Sequence, residues 1–326
     1  MPTIAFMNAL HGYEQGPELN LGCQSGPDLR TQRISAGKDG TGVALALGGG
    51  FARGFAHLGV LEVLEQEGIP ISAIAGTSIG GLLGAAYADG ISIQDLCDLG
   101  RRVRVRDFIR FHRSGQGTHK QDRIGEFLRE WFQASRFEEL CIPTAIVTTD
   151  IETCAPYVFT NGPLEVAIRA SCAFPGLFRP VEHEGRMLAD GCIVAPVPTG
   201  VAMQMNSLCV LGVAVSSNAK NMSSADDFSR LCNNTDKSSP PEQELVGARQ
   251  SQALLDPLWT NHADLLLEPA VHQISWDDFE SVEEARDAGA EVMRRALPFV
   301  REMLDRRAQS RHAGEMSGCL ECELVS

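Results

Sequence analysis

At 326 residues, 44% of them hydrophobic, the chain can build one large domain or two small ones around a substantial core. A formal net charge of −14 argues against a general nucleic-acid binder, which carries a basic footprint. No apolar run approaches the ~20 residues that span a bilayer, and "MPTIAFMNALHGYEQG" lacks the charged start and long apolar core of a secretory signal.

Ten cysteines without an export signal imply reduced thiols and a cytoplasmic location. Cys141, Cys172 and Cys209 sit in apolar segments and read as small buried thiols. Cys319 and Cys322 form a single CxxC, whereas a structural zinc site usually needs two pairs, so no metal or other cofactor is expected. The Asn221 and Asn233 sequons mean little without export.

Residues 1–41 are polar and Gly-rich without periodicity, and read as a flexible arm. "VALAL" (43–47) is a buried strand that runs into "GGGFARG". Residues 52–68 carry apolar side chains at helical spacing until Gly68 and Pro70 stop them. "ISAIAG" (71–76) is a second strand, and "IGGLLGAAYADG" (79–90) a helix of small residues able to pack closely on a sheet. Strand, helix, strand, helix implies right-handed crossovers and a parallel α/β sheet. Further strands are expected at 144–150, 157–160 and 208–216, and helices at 123–132, 164–174, 243–256 and 282–307. Residues 217–242 form a polar insertion, a loop or lid, and 308–326 read as a tail.

The charge is uneven. Residues 101–123 carry eight Arg and Lys against two Asp, interleaved with Phe108, Ile109 and Phe111. The plain reading is a solvated segment. The sharper one is a surface that meets anionic lipid head groups on the inner face of a membrane.

"GTSIG" (Gly76–Gly80) is a G-x-S-x-G pattern set after a strand and before a helix. Such a turn pushes Ser78 into a strained, projecting position, which marks it as a nucleophile; the bland alternative is a serine that only caps the helix. A hydroxyl nucleophile needs a base. His262 and His272 follow Asp190 in the chain, as a Ser-acid-His order would require, but neither has a distinctive setting, and His57 reads as a packing residue. Asp190, in "MLADGCI", is either an ordinary Asp-Gly turn or a carboxylate whose basicity rises in a partly desolvated site. The glycine loop itself holds either phosphates or a developing oxyanion. It has no G-K-[ST] ending, and a Rossmann fingerprint ending at Gly54 would need glycine where Phe51 stands.

Taken in order, "LALGGGFARGFAHLGVL", "AGTSIGG", "VTTDIETC", "AIRASCAFPGLFRPV", "LADGCIVAPVP", "NHADLLLEP" and "DDFESVEEARDAGAEVMRRALP" resemble the patatin-like phospholipase family, in its bacterial branch related to the neuropathy target esterase catalytic domain. The resemblance covers about residues 42–305 and implies a three-layer α/β/α fold with a mostly parallel central sheet over 42–307. It implies a Ser-Asp dyad without histidine, with Ser78 matching the nucleophile between Gly76 and Gly80, and Asp190 the base, followed by Gly191 of the third motif. Gly49, Gly50 and Phe51 match the oxyanion loop, and Arg53 its basic position. The substrate implied is a lipid or ester, hydrolysed through an acyl-enzyme.

Two residues depart from the family pattern. Phe51 replaces a common glycine; at negative φ it would still offer its N–H, and its ring would line or narrow the acyl pocket. Cys192 replaces a glycine or alanine after Asp190-Gly191. Asp150 and Glu152 read as structural. The competing readings are an α/β-hydrolase triad using His262 or His272, a silent membrane-associated regulator, and transacylation in place of hydrolysis.

Overall fold

The computed structural model describes residues 40–102, 122–175, 177–216 and 262–323. The N-terminal arm up to residue 39, most of the basic segment, the 217–242 insertion and the helix expected at 243–256 lie outside the described residues.

The strands are β1 (Val43–Leu47), β2 (Ile71–Thr77), β3 (Thr144–Asp150), β4 (Ala155–Phe159), β5 (Val181–His183), β6 (Arg186–Asp190), β7 (Cys209–Val213) and β8 (Leu265–Leu267). The helices are α1 (Ala56–Gln66), α2 (Ile79–Ala88), α3 (Ile93–Arg102), α4 (Asp122–Trp131), α5 (Leu164–Ser171), α6 (Thr199–Met203) and α7 (Val282–Glu323). The sheet runs β5-β6-β3-β2-β1-β7-β8, with β4 on the other edge of β3. Strands β3, β2, β1, β7 and β8 pair in parallel, β4 and β6 each pair antiparallel with β3, and β5 pairs antiparallel with β6. With helices on both faces, this is the three-layer α/β/α fold the resemblance implied.

The alternation along β1 explains how the layers close. Val43, Leu45 and Leu47 enter the main core with Leu58 and Leu61 of α1 and Val282 and Met293 of α7. Ala44 and Ala46, with Ala73 and Ala75 of β2, face the opposite layer, where their small side chains let α6 bring Ala202 close. A third cluster packs Leu164 and Ile168 of α5 on Ile146 and Leu188. Helix α7 continues past the expected residue 307 and passes Pro298 without breaking. No helix among the described residues is long and apolar enough to cross a membrane.

The sheet register creates the site. Leu47 pairs with Gly76, so the loops that leave β1 and β2 start side by side at the carboxyl ends of neighbouring strands. Thr77 and Asp190 pair with consecutive residues of β3, Val147 and Thr148. Strand β4 occupies the other edge of β3 at both positions, so β2 and β6 meet end to end. Ser78 and Asp190, 112 positions apart in sequence, are thereby neighbours in space.

Candidate active site

The turn from β2 into α2 forces Ser78 to φ 53° and ψ −124°, a conformation that L-residues rarely adopt. Its environment stabilises that turn. Ser78 N–H donates to Ser171 Oγ at 2.8 Å, and Ser171 Oγ–H donates to the Val147 carbonyl at 2.6 Å. A Cβ on Gly80 would come within 2.2 Å of the Leu47 carbonyl oxygen, and one on Gly76 within 2.5 Å of Gly81, so the spacing of the motif is set by backbone-to-backbone contact. Ser78 is 7% exposed.

Ser78 Oγ–H donates to Asp190 Oδ2 at 2.7 Å, and the Cys192 N–H donates to Oδ1 at 2.8 Å. The strand end fixes Asp190 from behind: its N–H goes to the Ala173 carbonyl, and its own carbonyl accepts from Thr149 Oγ1. At 1% exposure, burial pushes the Asp190 carboxyl up to about 6, against the opposing pull of the Cys192 N–H and the Ser78 hydroxyl. Gly191 fits because a Cβ there would lie 2.2 Å from the Val147 carbonyl oxygen. Two thiols flank the pair, and burial pushes both Cys172 and Cys192 well above the usual thiol range, so they keep their protons.

The glycine loop lies beside Ser78: a Cβ on Gly49 would stand 3.2 Å from Ser78 Cβ and 2.0 Å from Cys192 Sγ. Its N–H groups divide into two sets. Gly48 and Gly49 donate to the carbonyls of Val213 and Pro196, at 3.1 and 3.0 Å. Among the described residues, no acceptor takes the N–H of Gly50 or Phe51. Phe51 has φ 51°, not the negative value of an ordinary L-residue. Its ring meets Phe174 and Trp276 edge-on, with centroids 5.3 and 5.2 Å away. The turn that follows, Phe51–Phe55, is tied down by Ala52 N–H to the Trp276 carbonyl (3.0 Å) and Arg53 Nε–H to the Ile274 carbonyl (2.7 Å). Arg53 therefore orients the loop through a backbone contact.

The histidines stand apart from this arrangement. His57 is fully buried, with Nε2 at 2.7 Å from the Gly48 carbonyl. Burial lowers it to about 4, against that hydrogen bond, so it is neutral and donates from Nε2. His262 lies against Gly200 on α6, and His272 is exposed. Among the described residues, no histidine hydrogen-bonds Ser78 or Asp190. Asp150 is a turn-former: it accepts from the N–H groups of Glu152 and Thr153 and pairs with Arg186 at 2.6 Å. Burial raises its carboxyl, but the Arg186 guanidinium and the two N–H groups together hold it below the usual range.

Sequence reading misses Ser171, Phe174 and Trp276. A serine at the end of a helix and two aromatics in loops carry no local mark of their contact with the turn at Ser78 or the loop at Phe51.

The sequence model of the patatin-like phospholipase family matches residues 45–203, which include the glycine loop, Ser78 and Asp190. An NTE family protein of Mycobacterium tuberculosis is 37% identical over 188 residues, 57% of this chain and 51% of the relative. Lysophospholipase NTE1 of Mycosarcoma maydis is 37% identical over 184 residues, 55% of this chain and 10% of the relative. Patatin-like phospholipase domain-containing protein 6 of Homo sapiens is 31% identical over 198 residues, 57% of this chain and 14% of the relative. The chain thus spans about half the length of the mycobacterial relative and a small part of the other two. Residues 45–203 thus match a patatin-like phospholipase domain, and the relatives that the chain resembles there include NTE family proteins.

Proposed function

We propose that this protein is a lipid acyl hydrolase that cleaves carboxylic esters of phospholipids or lysophospholipids with a Ser78-Asp190 dyad. The observation that carries this reading is the 2.7 Å hydrogen bond from the Oγ of Ser78, on a strained strand-to-helix turn, to the desolvated carboxylate of Asp190. The family match and the lysophospholipase relative support the substrate class.

In this mechanism Asp190 Oδ2 takes the Ser78 proton as Oγ attacks the ester carbonyl carbon. Burial makes the carboxylate a stronger base than an aspartate in water. The N–H groups of Gly50 and Phe51 hold the oxyanion, and one such donor contributes about 3 kcal/mol to the transition state. Collapse of the tetrahedral intermediate breaks the ester C–O bond. The proton held by Asp190 passes to the leaving alcohol or lysophospholipid oxygen. Water then gives a proton to Asp190 and attacks the acyl-enzyme carbonyl; the Ser78 Oγ–C bond breaks, releasing the fatty acid, and Asp190 returns its proton to Ser78 Oγ.

Intact mass after fluorophosphonate treatment tests the dyad. Wild type should gain one adduct on Ser78, Ser78→Ala none, and Asp190→Asn should be labelled and turned over at least about 100-fold more slowly with its fold retained. A His262→Ala, His272→Ala double variant should keep its turnover. Its inactivation would replace the dyad by a triad, and full activity of Asp190→Asn would overturn the dyad.

A further inference from the structure

Phe51 stands where the family commonly has glycine, and the backbone keeps the conformation glycine would favour, φ 51°. Something must hold an L-residue there. The ring is fixed from two sides by edge-to-face contacts with Phe174, just after α5, and Trp276, in the segment before α7. Trp276 also accepts the Ala52 N–H on its carbonyl, and Ile274, two residues earlier and 2% exposed in the main core, accepts from Arg53. One short segment therefore grips the loop by a ring, by its backbone and by a side chain, all within three residues of Phe51. The two N–H groups without acceptors, those of Gly50 and Phe51, lie at the point that is gripped.

We propose that Trp276, assisted by Phe174, is a positioning residue that clasps Phe51 in the left-handed conformation and so aims the Gly50 and Phe51 N–H groups. The clasp does for this chain what the conformational freedom of a glycine would do at that position. It rests on the oxyanion role proposed above. It predicts that the need for Trp276 disappears once residue 51 is glycine.

The test compares wild type, Trp276→Ala, and the Trp276→Ala, Phe51→Gly double variant on a soluble p-nitrophenyl ester, with circular dichroism to confirm folding. Trp276→Ala should lower kcat by about 30-fold or more, in the range of a lost oxyanion donor, while KM changes by less than about threefold. The double variant should recover to within about fivefold of wild type, because glycine takes positive φ without a clasp. Wild-type kcat in Trp276→Ala overturns the proposal. So does a loss that Phe51→Gly does not rescue, which would make Trp276 a substrate contact or a general support. If Trp276→Ala does not fold, Trp276→Leu keeps apolar volume without the ring and should show the same loss and rescue. Ser78→Ala, run in parallel, separates the two ideas. An inert Ser78→Ala with an unaffected Trp276→Ala removes the clasp alone, and an active Ser78→Ala removes the clasp and the dyad together.

Discussion

Asp190 concentrates the cost of this site in one side chain. Its carboxyl sits at about 6 in the folded protein, against an ordinary 3.8, because burial outweighs the donors that surround it. The folded chain therefore binds that proton more tightly than the unfolded chain does. Stability is greatest below the ordinary value, falls as pH rises from about 4 to about 6, and stays lowered above that. Two units correspond to about 3 kcal/mol. His57 acts in the opposite sense: lowered to about 4 from 6.5, it costs stability as pH falls through that window, equally in wild type and in variants at Asp190. Asp190→Asn keeps the shape and removes the buried charge. It should be more stable than wild type at pH 8, by on the order of 2 kcal/mol in urea unfolding, and no more stable at pH 4. If Asp190 is the base of the proposed dyad, the same carboxyl should set an acid limb near pH 6 in kcat/KM for wild type, since only an ionised carboxylate can take the Ser78 proton. Equal stabilities of the two proteins at pH 8 would mean that the ionised carboxylate is not strained by burial.

The elements around Ser78 differ in how far the sequence reveals them. β1 and β2 are legible in "VALAL" and "ISAIAG", because strands buried on both faces read as short apolar runs bounded by glycine and proline. α2 is legible through its small residues, and the turn at Ser78 through its glycine spacing. β5 and β6 are not. They are short, of three and five residues, they pair antiparallel with each other, and the pairing of β6 with β3 is a long-range event with no local pattern. Position 190 therefore stands out through family resemblance, while its meeting with Ser78 depends on β6 ending where β2 ends. Phe51 shows the same limit, since nothing in the local sequence demands positive φ of a phenylalanine. Ser171 gives an element-scale test. Its Oγ joins α5 to both β3 and the turn at Ser78, accepting from Ser78 N–H and donating to Val147. Ser171→Ala leaves a buried donor and a buried acceptor unpaired, which costs about 1–3 kcal/mol for each. The variant should lose about 2 kcal/mol or more in urea unfolding and label more slowly with fluorophosphonate at temperatures where it is fully folded. A loss of stability with an unchanged labelling rate would show that the turn keeps its strained geometry without this serine.

Across the whole molecule, the glycine loop depends on a helix far from it in sequence. α7 packs along α1, the helix that continues directly from the loop, and the two backbones touch. A Cβ on Gly59 would fall 1.8 Å from the Arg286 carbonyl oxygen, and one on Gly289 1.8 Å from that of Ala56. Charged pairs flank the crossing, Arg286 with Glu62 at 3.3 Å and Arg301 with Glu67 at 2.5 Å, but they are partly exposed and contribute little. The close approach itself keeps Val282, Ala285 and Met293 packed in the main core with Leu58 and Leu61. It also positions His57, which reaches from α1 to the Gly48 carbonyl and so ties helix packing to loop geometry. Gly289→Ala should push the helices apart, destabilise the fold by about 1–3 kcal/mol, and slow Ser78 labelling with it. Gly68→Ala is the contrasting substitution. Gly68 ends α1 at φ 65° with open space around its Cα, so alanine there meets only backbone strain, about 1 kcal/mol, with no effect on the loop. Measured side by side, Gly68→Ala should lower the urea midpoint and leave labelling intact, whereas Gly289→Ala should lower both. Equal labelling in the two variants would mean that the loop keeps its shape without α7, held by its own contacts with Ile274 and Trp276.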